Sequence, residues 1–193
     1  MTVFRPAACA ATAALLVLAG TSAPALAQQK LDAARSEMAF VSKQMGVPVE
    51  GHFRKFDAQI AFDPKKPEAG KVSFTIDMGS ASFGAPEVDA ELPKPVWFNV
   101  PKFPQATFQS SAIKALGAGK FEVTGKLAIK GSTRDVVVPV ALPQAGGATT
   151  ATGAFALKRL EFRIGEGEWA DTSMVANDVQ VKFRLLLSGV PAL

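Results

Sequence analysis

Apolar and polar residues alternate with a period of two along much of this chain, and no other feature of the sequence limits the fold as strongly. The segment 72–78 reads VSFTIDM, and the segment 179–187 reads VQVKFRLLL. Such alternation puts the apolar side chains on one face of a β-strand. Similar runs lie at 38–41, 51–62, 106–110, 121–129 and 135–142, and Phe155 with Leu157 begins another. The sequence therefore predicts an all-β protein with about eight strands.

The arrangement of these runs favours a closed barrel. Three of them follow one another between 106 and 142 with short turns, which is typical of an antiparallel meander. The aromatic phase shifts between Phe53 and Phe56, as it does at a bulge or bend in a strongly curved strand. Long alternating strands leave exposed edges in a sandwich, whereas a barrel removes them. We expect an antiparallel up-and-down barrel, whose interior can hold one small ligand.

The apolar face is expected to point inward. An outer-membrane barrel turns its apolar face to lipid and carries girdles of aromatic residues at both interfaces. This chain has no Tyr and two Trp, both in connections, while its 14 Phe lie largely within strands. The prediction is a soluble barrel with a continuous, Phe-rich interior. A fully packed core remains the alternative, because small barrels are often filled by their own side chains.

The connection from Gly79 to Pro104 contains seven Gly or Pro residues and follows the third strand of the prediction. We expect a short helix near Glu87–Leu92 within it. The pair Trp97-Phe98 is too apolar for a solvated loop. It is expected to pack over the mouth of the barrel.

Residues 1–27 are read as a secretory signal peptide. An apolar run at 10–19 precedes Ala25-Leu26-Ala27, an A-x-A cleavage signal, and is too short to span a bilayer. Residues 28–193 would then form a single domain in an exported, periplasmic protein. The one cysteine, Cys9, lies in the leader, so the mature chain would contain no disulfide.

The charge pattern argues against nucleic acid as a partner. The net charge is +4, but 21 basic residues are mixed with 17 acidic ones. Basic residues form no stripe interleaved with aromatic side chains. A weak, at most transient contact with a membrane surface stays open, as does a homodimer.

The sequence offers little for catalysis or metal binding. His52 is the only histidine, and its parity places it on the outer face of its strand. A nucleophile–base site would need a partner pattern around it. Glu166, Glu168 and Asp171 could supply oxygen ligands, but their spacing does not match a known calcium loop. They are interpreted as a solvated acidic loop, and neither catalysis nor a cofactor is expected.

The order W-F-N-V-x-K-F-P-x-A-T-F-x-S in 97–110, followed by V-x-G-K-L-x-I-K-G-x-T-R-D-V in 123–136, closely resembles the YceI family of bacterial lipid-binding proteins. The segments G-x-F-x-x-F-x-x-x-I-x-F-D in 51–63, Asp89-x-x-Leu92 and Arg159-x-Glu161-Phe162 extend the resemblance over most of the chain. It implies a lipocalin-like barrel in the periplasm that holds a polyisoprenoid or related amphiphile.

The resemblance also implies which residues surround the ligand. Transferred position by position, the lining is Phe40, Phe53, Phe56, Ile60, Phe74, Ile76, Trp97, Phe98, Phe108, Phe121, Leu127 and Phe183. Gln44 stands where many members carry a histidine, and 80–84 reads SASFG where a Ser/Thr-rich stretch is usual. The apolar tunnel is therefore implied more strongly than polar recognition of the ligand's head.

The leading hypothesis is a non-catalytic binding or carrier protein for a long-chain isoprenoid of the quinone or polyprenyl phosphate type. Burial of hydrocarbon is worth about 0.8 kcal/mol per CH₂, so only an enclosed tunnel could replace the bilayer for such a chain. A structural or stress-related interaction module with a filled core is the first alternative. An enzyme acting on such a lipid is the second.

Overall fold

The structure, a computed structural model, describes residues 29–193, so the predicted leader and its cleavage point lie outside the described residues. In this range the chain forms eleven strands: β1 (Lys30–Gln44), β2 (Val47–Phe53), β3 (Phe56–Ala61), β4 (Lys71–Asp77), β5 (Ala81–Ser82), β6 (Gln105–Gly117), β7 (Lys120–Ile129), β8 (Ser132–Ala141), β9 (Gln144–Ala145), β10 (Ala148–Lys158) and β11 (Asp178–Ser188). One short helix, α1, is Pro86–Asp89, and 3-10 helices occupy Pro67–Ala69, Met78–Ser80, Arg159–Phe162 and Gly167–Ala170.

The strands form one antiparallel sheet in the order β3-β4-β6-β7-β8-β10-β11-β1-β2-β5, with β9 beside β10. The sheet curls until β3 meets the start of β1, where Gln29 forms a bridge with Ile60. The Gln29 side chain accepts a hydrogen bond from Phe62 N at 3.0 Å and donates one to Phe62 O. This amide extends the backbone ladder across the seam and closes the barrel on that side. The predicted all-β antiparallel barrel is confirmed.

The number of strands differs from the prediction of about eight. One predicted strand is interrupted at Arg54 and Lys55, between β2 and β3, where the phase shift indicated a bend. Two others, β5 and β9, have only two residues each and are too short to show any alternation. The short helix lies at Pro86–Asp89, within the connection where it was expected.

The start of β10 was missed by the sequence analysis, which began this strand at Phe155. The strand in fact begins at Ala148 and ends at Lys158. Its first inward residues, Thr149 and Ala151, are buried but small. Small side chains give no visible apolar alternation, so the pattern resembled a Gly/Ala/Thr turn.

The apolar face of the strands points into the barrel, as predicted. In β7 the side chains of Phe121, Val123, Leu127 and Ile129 are buried, while Lys126 on the opposite face is exposed. The buried apolar residues form two clusters, one around Phe62, Phe74 and Phe121 and the other around Phe40, Phe98 and Phe162. The barrel thus has two differently packed halves.

Three glycines in the strands make room for phenylalanine rings that lie along the barrel wall. A methyl group added at Gly51 would overlap the ring of Phe40, its register partner on β1. A methyl group added at Gly153 would likewise overlap the ring of Phe183, its register partner on β11. The ring of Phe108 covers Gly125 diagonally on β7. Because each ring rests on a neighbouring strand, it covers backbone instead of projecting into the centre.

The pair formed by Gly51 and Phe40 predicts a stability effect that depends on the ring. Gly51→Ala should lower the free energy of unfolding by about 1–3 kcal/mol, because the added methyl displaces a packed side chain. Phe40→Leu in the same chain removes the overlap, so the double variant should lose less than the sum of the single losses. Urea unfolding of the four proteins measures this coupling. Additive losses would show that the ring does not rest on the glycine.

Candidate functional site

The larger of two neighbouring cavities, the outer chamber, has a volume of about 580 Å³. Its walls come from β1, β2, β4, β6, β7, β10 and β11, and its cover from the connections 78–104 and 159–177. Aromatic rings are prominent in the wall: the rings of Phe40 and Phe53 are 5.0 Å apart, those of Phe40 and Phe83 are 5.1 Å apart, and those of Phe53 and Phe98 are 6.4 Å apart. The chamber is large enough for a small-molecule ligand.

The second cavity, the inner chamber, is lined by the barrel strands together with Phe62, Leu142 and Val190 and has a volume of about 150 Å³. All of its lining residues are apolar. It shares Ile76, Leu127, Phe155 and Val181 with the outer chamber, so the two cavities adjoin. An apolar cavity of this size stays dry and accepts a group about as large as benzene.

The free space inside the barrel is divided unequally between the two adjoining chambers. The inner half of the barrel is largely filled, because Phe62 packs edge-on against Phe121 at 5.1 Å and Phe56 stacks on Phe74 at 5.8 Å. The free space is therefore concentrated in the outer half. The same residue type gives a packed core in one half and a chamber wall in the other.

Eleven of the twelve residues predicted to line the ligand site line these chambers. Phe40, Phe53, Trp97 and Phe98 line the outer chamber; Ile60, Phe74, Phe108, Phe121 and Phe183 line the inner one; Ile76 and Leu127 line both. Phe56 lines neither, because its ring packs against Phe74 and the adjoining core. Contact of any of them with a ligand stays a prediction.

The two connections of the cover, 78–104 and 159–177, contact each other over the outer chamber. The amides of Gly165 and Glu166 both donate hydrogen bonds to Val96 O, at 2.8 and 3.2 Å. Beside this contact the rings of Trp97 and Trp169 pack 5.4 Å apart. The Trp97-Phe98 pair thus packs over the barrel mouth, as the sequence analysis expected.

Arg159 is the central residue of this cover, and its side chain lines the outer chamber while being only 2% exposed. Its guanidinium donates to five backbone carbonyls at 2.6–3.1 Å: those of Ile164, Gly165, Trp169, Val175 and Ala176. Five N–H groups are all that a guanidinium has. Burial lowers the pKa of Arg159, but an arginine stays protonated in proteins.

A second buried cation, Lys130, joins the β7–β8 turn to the same cover. Its Nζ donates to the carbonyl oxygens of Arg163 and Val96 and to Glu166 Oε2, the last at 2.9 Å. Lys130 itself occupies a left-handed turn position, with φ 48°, before Gly131 at φ 75°. The sequence analysis did not predict this contact, because it treated Lys130 as part of a family motif and Glu166 as part of an acidic loop.

Asp89 fastens α1 beside the chamber. Its carboxylate accepts hydrogen bonds from Ser82 Oγ and from Phe83 N, both at 2.6 Å, and Arg54 donates to Ser82 Oγ at 2.8 Å. The hydrogen bond from Ser82, then the one from Phe83, lowers the pKa of Asp89. These contacts explain the Asp89-x-x-Leu92 motif, since Leu92 is buried in the cluster under the helix.

Polar side chains line only the outer chamber. They are Ser42, Gln44, Glu87, Glu91 and Arg159. Gln44 is therefore on the chamber wall. The donors of Arg159 are already used, so the polar groups left to face a ligand are neutral or acidic.

The candidate catalytic and metal residues do not form a site. His52 is on the outer face with its side chain 55% exposed, and its Nε2 lies 3.6 Å from Glu50 Oε1. Glu166 accepts from Lys130, and Asp171 accepts from Ser173. Across residues 29–193 no cluster of three His, Cys, Asp or Glu side chains is placed to hold a metal ion. In the same range no helix has the length and hydropathy to cross a membrane.

Comparison with known proteins yields one family. The sequence model of the YceI-like domain matches residues 29–187. The protein YceI of Salmonella arizonae is 39% identical over 92 residues, 48% of each chain, and a UPF0312 protein of Azotobacter vinelandii is 39% identical over 88 residues, 46% of each. These alignments span about half the length of the curated relatives.

Solved structures share the fold. The crystal structure of BcnA from Burkholderia cenocepacia is 47% identical, with a TM-score of 0.79 over 81% of this chain and 98% of that one. A polyisoprenoid binding domain from Saccharophagus degradans, implicated in plant cell wall breakdown, is 18% identical with a TM-score of 0.67, over 85% of this chain and 99% of that domain. At that identity the second similarity concerns the fold alone.

Arg159→Met should destabilise the cover strongly. The apolar side chain keeps the length but leaves five carbonyls without a donor, which should cost about 3 kcal/mol or more in the free energy of unfolding. Hydrogen exchange should quicken at the amides of Gly165 and Ala176, which donate to Val96 O in the cover and to Lys43 O on β1. Arg134→Met, at an exposed arginine on β8, is the control and should change stability by less than about 0.5 kcal/mol. Equal losses in the two variants would contradict this role of Arg159.

The anchoring of α1 should depend on pH. Because the pKa of Asp89 in the folded protein is lowered, the stabilisation is fully present above its unfolded pKa, near 3.8, and is lost as the pH falls through the folded value. The protection of the α1 amides, which is the intrinsic exchange rate at the same pH divided by the observed rate, should therefore fall below about pH 4. Asp89→Ala should show the fast exchange already at pH 7. Unchanged exchange in that variant would refute the anchor.

Proposed function

The chain belongs to the YceI-like family, and from this membership and the two chambers we propose that it binds a long-chain isoprenoid lipid and performs no chemistry on it. The observation that carries the proposal is the outer chamber of about 580 Å³, which lies within the size range of ligand pockets. The polyisoprenoid-binding neighbour from S. degradans supports the ligand class. The alternative of a filled core is disfavoured, because a void of this size forfeits packing contacts that a purely structural module would keep.

The polarity of the lining supports one orientation of the ligand. Only apolar residues line the inner chamber, whereas Ser42 and Gln44 line the outer one. An isoprenoid buries each CH₂ with a gain of about 0.8 kcal/mol, so its tail is best placed inward. The inner chamber takes about one ring-sized group, so the end of the tail enters it and the rest lies in the outer chamber.

The charges support a neutral head of the quinone type over a polyprenyl phosphate. Glu87 and Glu91 lie at the exposed side of the outer chamber, and a phosphate would face both carboxylates. Arg159, the cation in the lining, has no donor left for it. A quinone oxygen can accept from an uncharged donor such as the Gln44 amide. We assign the protein to the periplasm on the strength of the predicted leader, residues 1–27.

Filling the outer chamber should remove the lipid and leave the fold intact. Leu157 is half-buried on β10 and lines the outer chamber. Leu157→Trp puts an indole into free space, so the free energy of unfolding should change by less than about 1.5 kcal/mol. Native mass spectrometry of protein exported and purified from a bacterial periplasm should give lipid adducts for the wild type and mainly free protein for the variant.

The matched control is Leu116→Trp, which makes the same exchange at a leucine that is 55% exposed at the end of β6. It should keep the adducts of the wild type. Extraction of the adduct followed by tandem mass spectrometry identifies the head and the number of isoprene units. Equal adducts in both variants would place the lipid elsewhere, and a wild type without adducts would defeat the proposal.

A further inference from the structure

Three apolar side chains are both exposed to solvent and part of the outer chamber wall. Met45 is 73% exposed, Met174 45% and Val88 42%, and all three line the chamber. They come from separate segments: the β1–β2 turn, the loop before β11, and α1. Met45 N donates to Met174 O at 2.8 Å, which ties two of these segments together. We call these three residues the rim, because they mark where the chamber opens.

The conformation of Met45 indicates that its exposure is not incidental. Met45 and Gly46 have φ of 48° and 81° in a two-residue hairpin turn. The first position of such a turn favours Asn, Asp or Gly. This chain instead holds a methionine there, with the highest exposure among the large apolar side chains of the described residues. Ala118 and Lys130 have a similar φ before a glycine, so the distinguishing feature of Met45 is its exposed apolar side chain.

The rim has a physical use if the ligand comes from a membrane. The rim residues belong to the same lining as the aromatic side chains of the outer chamber. A lipid that crossed a water gap between the bilayer and the chamber would expose its hydrocarbon, whereas a rim seated among the lipid headgroups would let it pass without that exposure. We propose that the rim docks on the surface of a phospholipid bilayer and thereby admits the lipid to the outer chamber. This inference rests on the proposed function.

The charges at the opening define how the docking works. Glu87 and Glu91 are exposed and line the chamber beside the rim, and Lys94 forms an ion pair with Glu91. The opening therefore does not present the basic cluster that attracts anionic lipids. Docking occurs by insertion of the apolar side chains. It should need no anionic lipid and should resist salt.

The test compares two triple variants of the mature protein. The rim variant is Met45→Ser, Val88→Ser and Met174→Ser. The control is Leu116→Ser, Val137→Ser and Leu193→Ser, which are 55%, 51% and 51% exposed and do not line the outer chamber. Flotation with phosphatidylcholine vesicles measures docking, and transfer of an isoprenyl quinone from those vesicles to the protein measures admission. The rim variant should lose about tenfold or more in both, and the control should match the wild type.

Loading the quinone from ethanol, without vesicles, separates this inference from the proposed function. Ethanol loading bypasses docking, so the rim variant should lose less quinone in this assay than in transfer from vesicles, and equal losses in the two assays would overturn the inference. If no protein retains it, the proposed function fails, while the flotation results still decide the docking. Docking is overturned if the rim and control variants float equally, or if binding requires anionic vesicles and is lost in salt. It is also overturned if light scattering shows that the rim instead joins two copies of the chain.

Discussion

A cavity inside a protein costs free energy, because the atoms that line it lack packing partners on one side. The wall of this barrel therefore depends on its own contacts. Backbone hydrogen bonds run continuously from β3 to β2, and the Gln29 amide carries the ladder across the seam. The rings of Phe40 and Phe183 lie flat over Gly51 and Gly153 on neighbouring strands. These rings pack against the wall itself, so the wall is stabilised without filling the outer chamber.

The cover over the outer chamber has a different requirement. It is irregular backbone, whose carbonyl groups have no sheet partners and face an apolar space. Buried carbonyl groups need donors. Arg159 supplies five and Lys130 supplies two more to the same region. The cations thus act on the protein backbone, and the proposed preference for an uncharged ligand head follows from this.

Under the proposed function, the two chambers contribute differently to the binding of an amphiphile. Hydrophobic burial is non-directional and grows with the apolar area covered, so the aliphatic and aromatic lining provides most of the affinity. Polar groups fix orientation, and they are confined to the outer chamber, where Ser42 and Gln44 lie. The proposed docking of the apolar rim extends the same principle to the protein surface, because a lipid that entered there would not expose its hydrocarbon to water.

The sequence alone determined the class of this fold and the direction of its apolar face. Period-two alternation is a local property of a strand, so 72–78 and 179–187 could be read without knowing their neighbours. The bend between Phe53 and Phe56 and the position of Trp97-Phe98 could also be read locally. Small inward residues such as Thr149 and Ala151 give no such signal, and the start of β10 was missed for that reason.

Only the tertiary structure decided where the barrel is open. Phe40 and Phe121 look alike in the sequence, yet one lines a chamber of about 580 Å³ and the other helps fill the inner half. The free volume beside a side chain depends on which residues of the opposite strands face it, and the sequence of one strand does not contain that information. The role of Arg159 likewise depends on carbonyls up to seventeen residues away in sequence that fold back around one guanidinium.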